Sequence, residues 1–278
     1  MENFRINNLE RNSELFNLAN ELEVLADEMR HVFNGKSKEN DFRRSKMPLH
    51  KTVFLYLITT VMQRFNSIRI LCTEGYGQCS LIILRSMLES LISAKYIILD
   101  EKVANERAER FEEYRWVEMR KHLKYWKTED VHNKELAKTI LSRETEVIDN
   151  FNKFKERFIK NNKELSTWSG NSIEDMARDV GMLADYNSVY RLCCNSSHPS
   201  FLGTGQSVVK TKEATHYSSS PSLQNVIANV EMSIVYFAEF LFIYDYLFGL
   251  GMRQRIYDYQ TKAKQVFALR KYALSLTP

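Results

Sequence analysis

Residues 81–99 read LIILRSMLESLISAKYIIL and decide the fold, because a helix with this sequence is apolar on most of its faces. Such a helix is stable only where other elements cover it, so we expect it at the centre of a helical bundle. Its charged residues are Arg85, Glu89 and Lys95. Arg85 and Glu89 lie one helical turn apart, a spacing at which their side chains can form an ion pair.

A second apolar stretch, MSIVYFAEFLFIYDYLFGL, spans residues 232–250 and contains Glu239 and Asp245. A carboxylate near the centre of a bilayer costs about 2.5–3.5 kcal/mol on insertion scales. We therefore expect no membrane span here, and we interpret the stretch as a core helix or an oligomer-interface helix.

Turn-forming residues are scarce, with 9 glycines and 4 prolines in 278 residues. Residues 49–198 contain no proline, which suits helices because proline breaks a helix interior. An all-β sandwich or barrel would need a turn roughly every 8–12 residues. The composition therefore predicts an all-α fold.

The spacing of apolar residues divides this fold into three parts. Residues 1–46 form an N-terminal helix and a polar connector, 47–250 form a helical bundle, and 251–278 form a basic C-terminal helix. A charged segment at 101–165 is inserted into the bundle as a long hairpin of two surface helices. The other predicted helices cover 4–33, 48–72, 78–99, 173–180, 185–197, 223–250 and 252–275, and 201–222 is predicted as a loop.

The basic C-terminal helix carries six arginine and lysine side chains against Asp258, although the net charge of the whole chain is only +4. Such a helix can contact nucleic acid or an acidic partner. The alternative is that these charges form an ordinary solvated helix face.

The N-terminus and cysteines indicate the cellular compartment, and the missing motifs argue against nucleotide triphosphatases, dinucleotide-binding proteins and α/β-hydrolases. The polar N-terminus lacks a secretory signal, so we expect a cytoplasmic location and reduced thiols at Cys72, Cys79, Cys193 and Cys194. The sequence has no dinucleotide-binding, P-loop, nucleophile-elbow or HExxH motif.

Metal binding is also disfavoured. A ferritin-like di-metal site needs two Glu-x-x-His pairs on core helices and two further glutamates. Of the two pairs present, Glu28–His31 and Glu213–His216, the second lies in a polar loop. We expect no metal and no other cofactor.

Residues 191–198, RLCCNSSH, are the strongest candidate for chemistry. On a helix, positions i and i+7 are nearly two full turns apart, so Arg191 and His198 would share one face. An arginine that stabilises phosphoryl oxygens and a histidine that takes the proton from a ribose 2′-hydroxyl suffice for metal-free RNA cleavage. The product would be a 2′,3′-cyclic phosphate. Asn195 and Ser197 are candidate substrate-binding residues.

Similar Arg–His spacings occur at Arg43–His50, Arg44–His50 and Arg115–His122. The first two cross Pro48, and the third lies among charged residues typical of a solvated face, so we select Arg191 and His198. One alternative stays open, in which His198 caps a helix C-terminus and Arg191 pairs with Glu89.

The surroundings of this pair resemble the bacterial domain-of-unknown-function family 5677 over roughly residues 50–250. The matching residues are LRSMLE at 84–89, WSGNSI at 168–173, Ala177, Gly181, Tyr186, Tyr190 and His198-Pro199. That family is similar to the HEPN (higher eukaryotes and prokaryotes nucleotide-binding) superfamily. Many HEPN proteins are metal-independent RNases in toxin–antitoxin and phage-defence systems, whereas others only bind.

The resemblance implies that Arg191 and His198 match the superfamily's Arg…His pair and that Glu89 orients the arginine. Arg85, Glu89 and Tyr190 would support the pair from the layer behind it. The resemblance also implies a homodimer, in which the second protomer supplies a histidine as general acid. RNA or a nucleotide would be the ligand, and a cognate antitoxin or defence protein would be a further partner.

One residue departs from the superfamily pattern. Active members often have a polar residue directly after the arginine, where this chain has Leu192. The competing hypothesis is therefore a non-catalytic helical scaffold or sensor that binds a nucleotide or a protein. Its dimer face would be the aromatic helix at 232–248.

Overall fold

The computed structural model describes residues 2–39, 47–127, 134–159, 167–197, 208–210, 215–217 and 220–275. Helices make up most of these ranges, and the predicted all-α fold is confirmed. The elements are α1 (Glu2–Arg11), α2 (Ser13–Glu39), α3 (Leu49–Thr73), α4 (Gly77–Ile98), α5 (Ala104–Glu113), α6 (Arg115–Trp126), α7 (Lys134–Leu141), α8 (Glu144–Phe158), α9 (Ile173–Asp179), α10 (Leu183–Asp185), a π-helical turn (Tyr186–Tyr190), α11 (Arg191–Ser197), β1 (Val208–Lys210), β2 (Thr215–Tyr217), α12 (Val226–Phe248) and α13 (Arg253–Ser275).

Helix α4 lies at the centre, as its apolar sequence predicts, and packs against α3, α5, α9, α11 and α12. Its leucines at 84, 88 and 91 are fully buried. The helices α3 and α12 close the core with paired rings. Phe65 and Phe237 have centroids 4.6 Å apart, and Phe54 and Phe240 are 6.0 Å apart. Burial of these side chains is the main stabilising contribution.

The start of α4 docks directly onto the start of α12. A Cβ atom added at Gly77 would lie 2.4 Å from the backbone oxygen of Gln224. The buried amide of Asn229 donates hydrogen bonds to the carbonyl of Gly77 and to the hydroxyl of Ser80, each 2.7 Å long. Only glycine permits this close approach of two backbones.

The N-terminal region contains two helices, where the sequence predicts one over 4–33. The chain turns at Asn12, whose amide donates to the side-chain oxygen of Asn8 at 2.8 Å. The amide of Asn8 donates in turn to the carbonyls of Cys72 and Thr73, which end α3. These buried hydrogen bonds hold α1 against α3 and favour the break. Helix α2 then runs through part of the predicted connector to Glu39.

In its described ranges, 101–127 and 134–159, the charged segment contains four helices, α5 to α8, and the predicted hairpin of two surface helices is not confirmed. Helix α5 packs on α3 and α4, and α6 packs on α8. Trp116, Phe151 and Phe154 are buried. The narrow apolar stripes therefore cover each other, and α5 joins the segment to the bundle. In the segment predicted as a loop, β1 pairs antiparallel with β2.

The aromatic helix α12 lies inside the bundle, which fits the interpretation of residues 232–250 as a core helix and leaves few of its rings for the dimer face predicted at 232–248. Its rings at Tyr236, Phe237, Phe240 and Tyr244 are buried by other elements of the same chain. Among the described residues α12 is the one helix long and apolar enough to cross a membrane, and 61% of its most apolar window is buried in the protein.

Three basic side chains of α13 form ion pairs within the chain. Lys262 contacts Glu21 at 2.7 Å, Arg270 contacts Glu231 at 3.8 Å, and Arg255 contacts Glu28. A groove of about 610 Å³ between α2 and α13 contains the Lys262–Glu21 pair. These pairings reduce the charge that α13 offers to an acidic partner.

Candidate functional site

Three of the predicted residues form one hydrogen-bonded network. Arg85 donates from Nε to Glu89 Oε1 at 3.2 Å, which is the ion pair expected from their spacing on α4. Arg85 also donates from Nη2 to the hydroxyl of Tyr190 at 3.0 Å, and that hydroxyl donates to Glu89 Oε1 at 2.8 Å. We call this the Arg85–Glu89–Tyr190 network. It ties α4 to the helix that carries Arg191.

The electrostatics of the network favour a neutral tyrosine. Burial and the hydrogen bond to Glu89 raise the pKa of Tyr190 to about 12. The guanidinium of Arg85 also lies 4.8 Å from the centroid of the Tyr190 ring. A second guanidinium, that of Arg64 on α3, donates to the carbonyl of Ser86 at 2.9 Å. The pKa of Arg64 is lowered, because the effect of burial exceeds the opposite effect of the Glu89 charge.

A π-helical turn, Tyr186–Tyr190, delivers Tyr190 to this network. Such turns add one residue to a helix and are frequent at functional sites. The rings of Tyr186 and Tyr190 stack at 4.7 Å with an interplanar angle of 20°. Periodicity alone predicts only a helix over 185–197, because no local signal marks the extra residue.

Arg191 is the first residue of α11, and its side chain is 59% exposed. Its guanidinium lies 5.5 Å from the Tyr186 ring centroid and 3.4 Å from a carboxylate oxygen of Glu174. The expected partner was Glu89, which instead contacts Arg85 and Tyr190. The acidic partner of Arg191 thus comes from α9. The predicted cap begins this helix, because the backbone N–H of Asp175 donates a hydrogen bond to the hydroxyl of Ser172 at 3.0 Å.

The remaining predicted site residues follow Arg191 along the chain. Asn195 is exposed on α11, and Ser197 is the last residue of that helix. His198 lies outside the described residues. The structure therefore brings Arg85, Glu89 and Tyr190 together directly behind Arg191, and the approach of His198 to Arg191 stays a prediction.

Beside the network lies an open cleft of about 740 Å³, which sequence reasoning missed. Its aromatic lining consists of Tyr56, Phe111, Tyr114 and Trp168. Its charged lining consists of Glu89, Glu112, Arg115, Glu118 and Lys121. We call this space the aromatic cleft. These residues come from four separate parts of the chain, so no sequence spacing could have revealed it.

The aromatic cleft and Arg191 are linked indirectly, through neighbours of two lining residues. Glu89 lines the cleft and also binds Tyr190, the residue before Arg191. Ile173 lines the cleft, and the next residue, Glu174, pairs with Arg191.

The cysteines beside Arg191 have different surroundings. Cys193 is buried, and burial raises the pKa of its thiol to about 12, whereas Cys194 is partly exposed. All four cysteines are free thiols. Within the described ranges, no cluster of three or more His, Cys, Asp or Glu side chains could hold a metal ion.

Comparison with known proteins gives one match, to the sequence model of a family of unknown function, DUF5677, over residues 51–244. No curated protein and no solved structure matches the chain. The match includes α4, the Arg85–Glu89–Tyr190 network and Arg191. It covers well over half of the chain, and the protein therefore belongs to the DUF5677 family.

Proposed function

We propose that this protein is a HEPN-like, metal-independent endoribonuclease that cleaves RNA in the cytoplasm, as part of a toxin or phage-defence system. The observation that carries the proposal is the exposed guanidinium of Arg191, which pairs with Glu174, the residue after Ile173 of the aromatic cleft. The backbone of Arg191 is anchored from behind by the Arg85–Glu89–Tyr190 network. Such support fixes a functional group while leaving it free to meet a ligand.

The proposed reaction uses the ribose 2′-hydroxyl as the nucleophile. His198 takes the 2′-hydroxyl proton while the 2′-oxygen forms a bond to phosphorus. Arg191 stabilises the charge that develops on the phosphoryl oxygens. The bond from phosphorus to the 5′-oxygen breaks, and that oxygen receives a proton from a second histidine. The products are a 2′,3′-cyclic phosphate and a 5′-hydroxyl.

The second histidine is His198 of another protomer, so the proposal includes a homodimer. One chain supplies a single Arg191–His198 pair, and this chemistry needs both a base and an acid. We expect sedimentation at micromolar concentration to give a dimer. A monomer that cleaves RNA would refute the two-protomer site.

RNA cleavage in the presence of EDTA tests the proposal. We expect the wild-type protein to release fragments with 2′,3′-cyclic phosphate ends. His198→Ala should lower the rate by about 10²–10⁴-fold and Arg191→Ala by about 10²–10³-fold. Arg178→Ala is the matched control, because Arg178 is also an exposed arginine that contacts Glu174, and it should keep the wild-type rate.

Two results would refute the enzyme. Undiminished cleavage by His198→Ala would exclude the proposed site. The absence of cleavage by the wild-type protein would favour the second candidate, a non-catalytic helical scaffold or sensor. That candidate is supported by Leu192, which is 47% exposed directly beside Arg191.

A further inference from the structure

The aromatic cleft has the size and the lining of a small-ligand site. Its volume of about 740 Å³ falls within the range of roughly 300–1,000 Å³ that is common for such sites. The ring of Trp168 packs edge-to-face on Phe111, with centroids 5.1 Å apart, which makes one wall rigid. Tyr56 is 45% exposed, so a ligand in the cleft can pack against its ring.

The cleft also offers groups of both charges. The carboxylate of Glu112 is 3.9 Å from the guanidinium of Arg115, which is the length of a loose ion pair. Glu118 and Lys121 are exposed on α6, the same helix as Arg115. A ligand that matches this lining has a flat apolar body, N–H donors for the carboxylates and an anionic group for the basic side chains. A nucleoside phosphate has all three.

The carboxylates narrow the choice of base. A carboxylate presents two acceptor oxygens, and it pairs best with two adjacent N–H donors. Guanine is the common RNA base whose pairing edge offers two such donors side by side, at N1 and N2. Bases in protein sites are also stacked on aromatic rings while that edge is hydrogen-bonded.

We propose that the aromatic cleft binds the guanine of a nucleotide, with Glu112 accepting from the base and with Arg115 and Lys121 contacting the phosphate. The source of this ligand is either a free guanine nucleotide or a guanosine within single-stranded RNA. The second source would deepen the proposed function and rests on it, because a guanosine held in the cleft would select the position that Arg191 and His198 cleave. Binding is measured without cleavage, so failure of either proposal leaves the other testable.

Calorimetric titration of the full chain with GMP, AMP, CMP and UMP, in EDTA, tests the inference. We expect GMP to bind at least about tenfold more tightly than the other three. Glu112→Gln should remove this preference, and Lys121→Ala should weaken GMP binding by about tenfold. The matched control for Glu112→Gln is Glu113→Gln on α5, and the matched control for Lys121→Ala is Lys124→Ala on α6. Neither Glu113 nor Lys124 lines the cleft.

Further arms separate the two sources of guanine. A uridine-rich oligoribonucleotide with one guanosine is titrated into His198→Ala, in which the proposed cleavage is lost. Tighter binding of this RNA than of GMP identifies RNA as the ligand, and tighter binding of GMP identifies a free nucleotide. Both results support a guanine site. Equal affinity for all four nucleotides, no binding of any of them, or an unchanged preference in correctly folded Glu112→Gln would overturn it. Circular dichroism of each variant reports folding.

Discussion

At the scale of single residues, the hydroxyl of Tyr190 lies between a guanidinium and a carboxylate. It accepts a hydrogen bond from Arg85 and donates one to Glu89, so both of its polar functions are used. Its ring is also held, between the Arg85 guanidinium and the ring of Tyr186. This side chain therefore fixes the backbone next to Arg191.

Replacing Tyr190 with Phe should test that role in stability. The change keeps the ring and removes both hydrogen bonds of the hydroxyl, while Arg85 and Glu89 keep their contact with each other. We expect the free energy of unfolding to fall by about 1–3 kcal/mol, measured by urea denaturation at neutral pH. Tyr186→Phe is the control and should change stability by less than about 0.5 kcal/mol. Equal losses in the two variants would contradict the assigned role.

The same comparison has a pH signature. The pKa of Tyr190 is raised from 10.0 to about 12, so folding favours the protonated phenol. The contribution of the Tyr190 hydroxyl to the free energy of unfolding is therefore complete below pH 10 and is lost as the pH rises towards 12. The stability difference between wild type and Tyr190→Phe should be constant near neutral pH and should shrink above about pH 10. A difference that grows with rising pH would contradict this sign.

At the scale of elements, the π-helical turn sets the direction in which α11 presents its side chains. One extra residue rotates everything after it by about 100° relative to a regular helix. With that rotation Tyr190 faces Glu89 and Arg191 faces Glu174. A helix without the turn could not direct both residues to these partners.

Deleting Ser188 tests the π-helical turn. Ser188 is exposed within it, and its hydroxyl donates to the carbonyl of Ala184 at 2.7 Å. With Ser188 as the extra residue that the turn accommodates, its deletion should give a regular helix that keeps Tyr190 on Glu89, so stability should fall by less than in Tyr190→Phe. Thermal unfolding followed by circular dichroism measures this. Ser188→Ala keeps the π-helical turn and serves as the control; a deletion that costs as much stability as Tyr190→Phe would refute the argument.

Sequence reasoning predicts those elements whose ends carry a local chemical signal. Ser172 and Asp175 form the expected cap, and Gly249 ends α12 in a left-handed conformation. The π-helical turn has no such signal. The resemblance named Arg85, Glu89 and Tyr190 together, but spacing alone could not reveal their contact, because Tyr190 and Glu89 are 101 positions apart and only packing brings them together.

The break at Asn12 shows the same limit. The amides of Asn8 and Asn12 gain their partners from each other and from the end of α3, which no local window contains. The aromatic helix α12 was correctly recognised as apolar, but its sequence did not decide between core and interface. That choice depends on which elements cover it.

At the scale of the whole molecule, the bundle depends on the junction at Gly77. Gly77→Ala should destabilise the protein by about 1–3 kcal/mol, because the new methyl group would meet the backbone at Gln224, which cannot move independently. Chemical denaturation measures the loss. The control is Gly35→Ala within α2, where a Cβ meets nothing within 4 Å. It should gain about 0.5–1 kcal/mol from helix propensity, and a Gly77→Ala protein as stable as the wild type would refute the tight junction.

The contact between Gly77 and the start of α12 also governs how the chain is made. Helix α4 leaves the ribosome roughly 130 residues before α12 begins. At ordinary translation speeds, on the order of 10 s pass before α12 is synthesised and can pack on α4. The charged helices α5 to α8 are synthesised in that interval, and α5 packs on α3 and α4. Helix α5 can thus cover part of the apolar surface of α3 and α4 before α12 is synthesised.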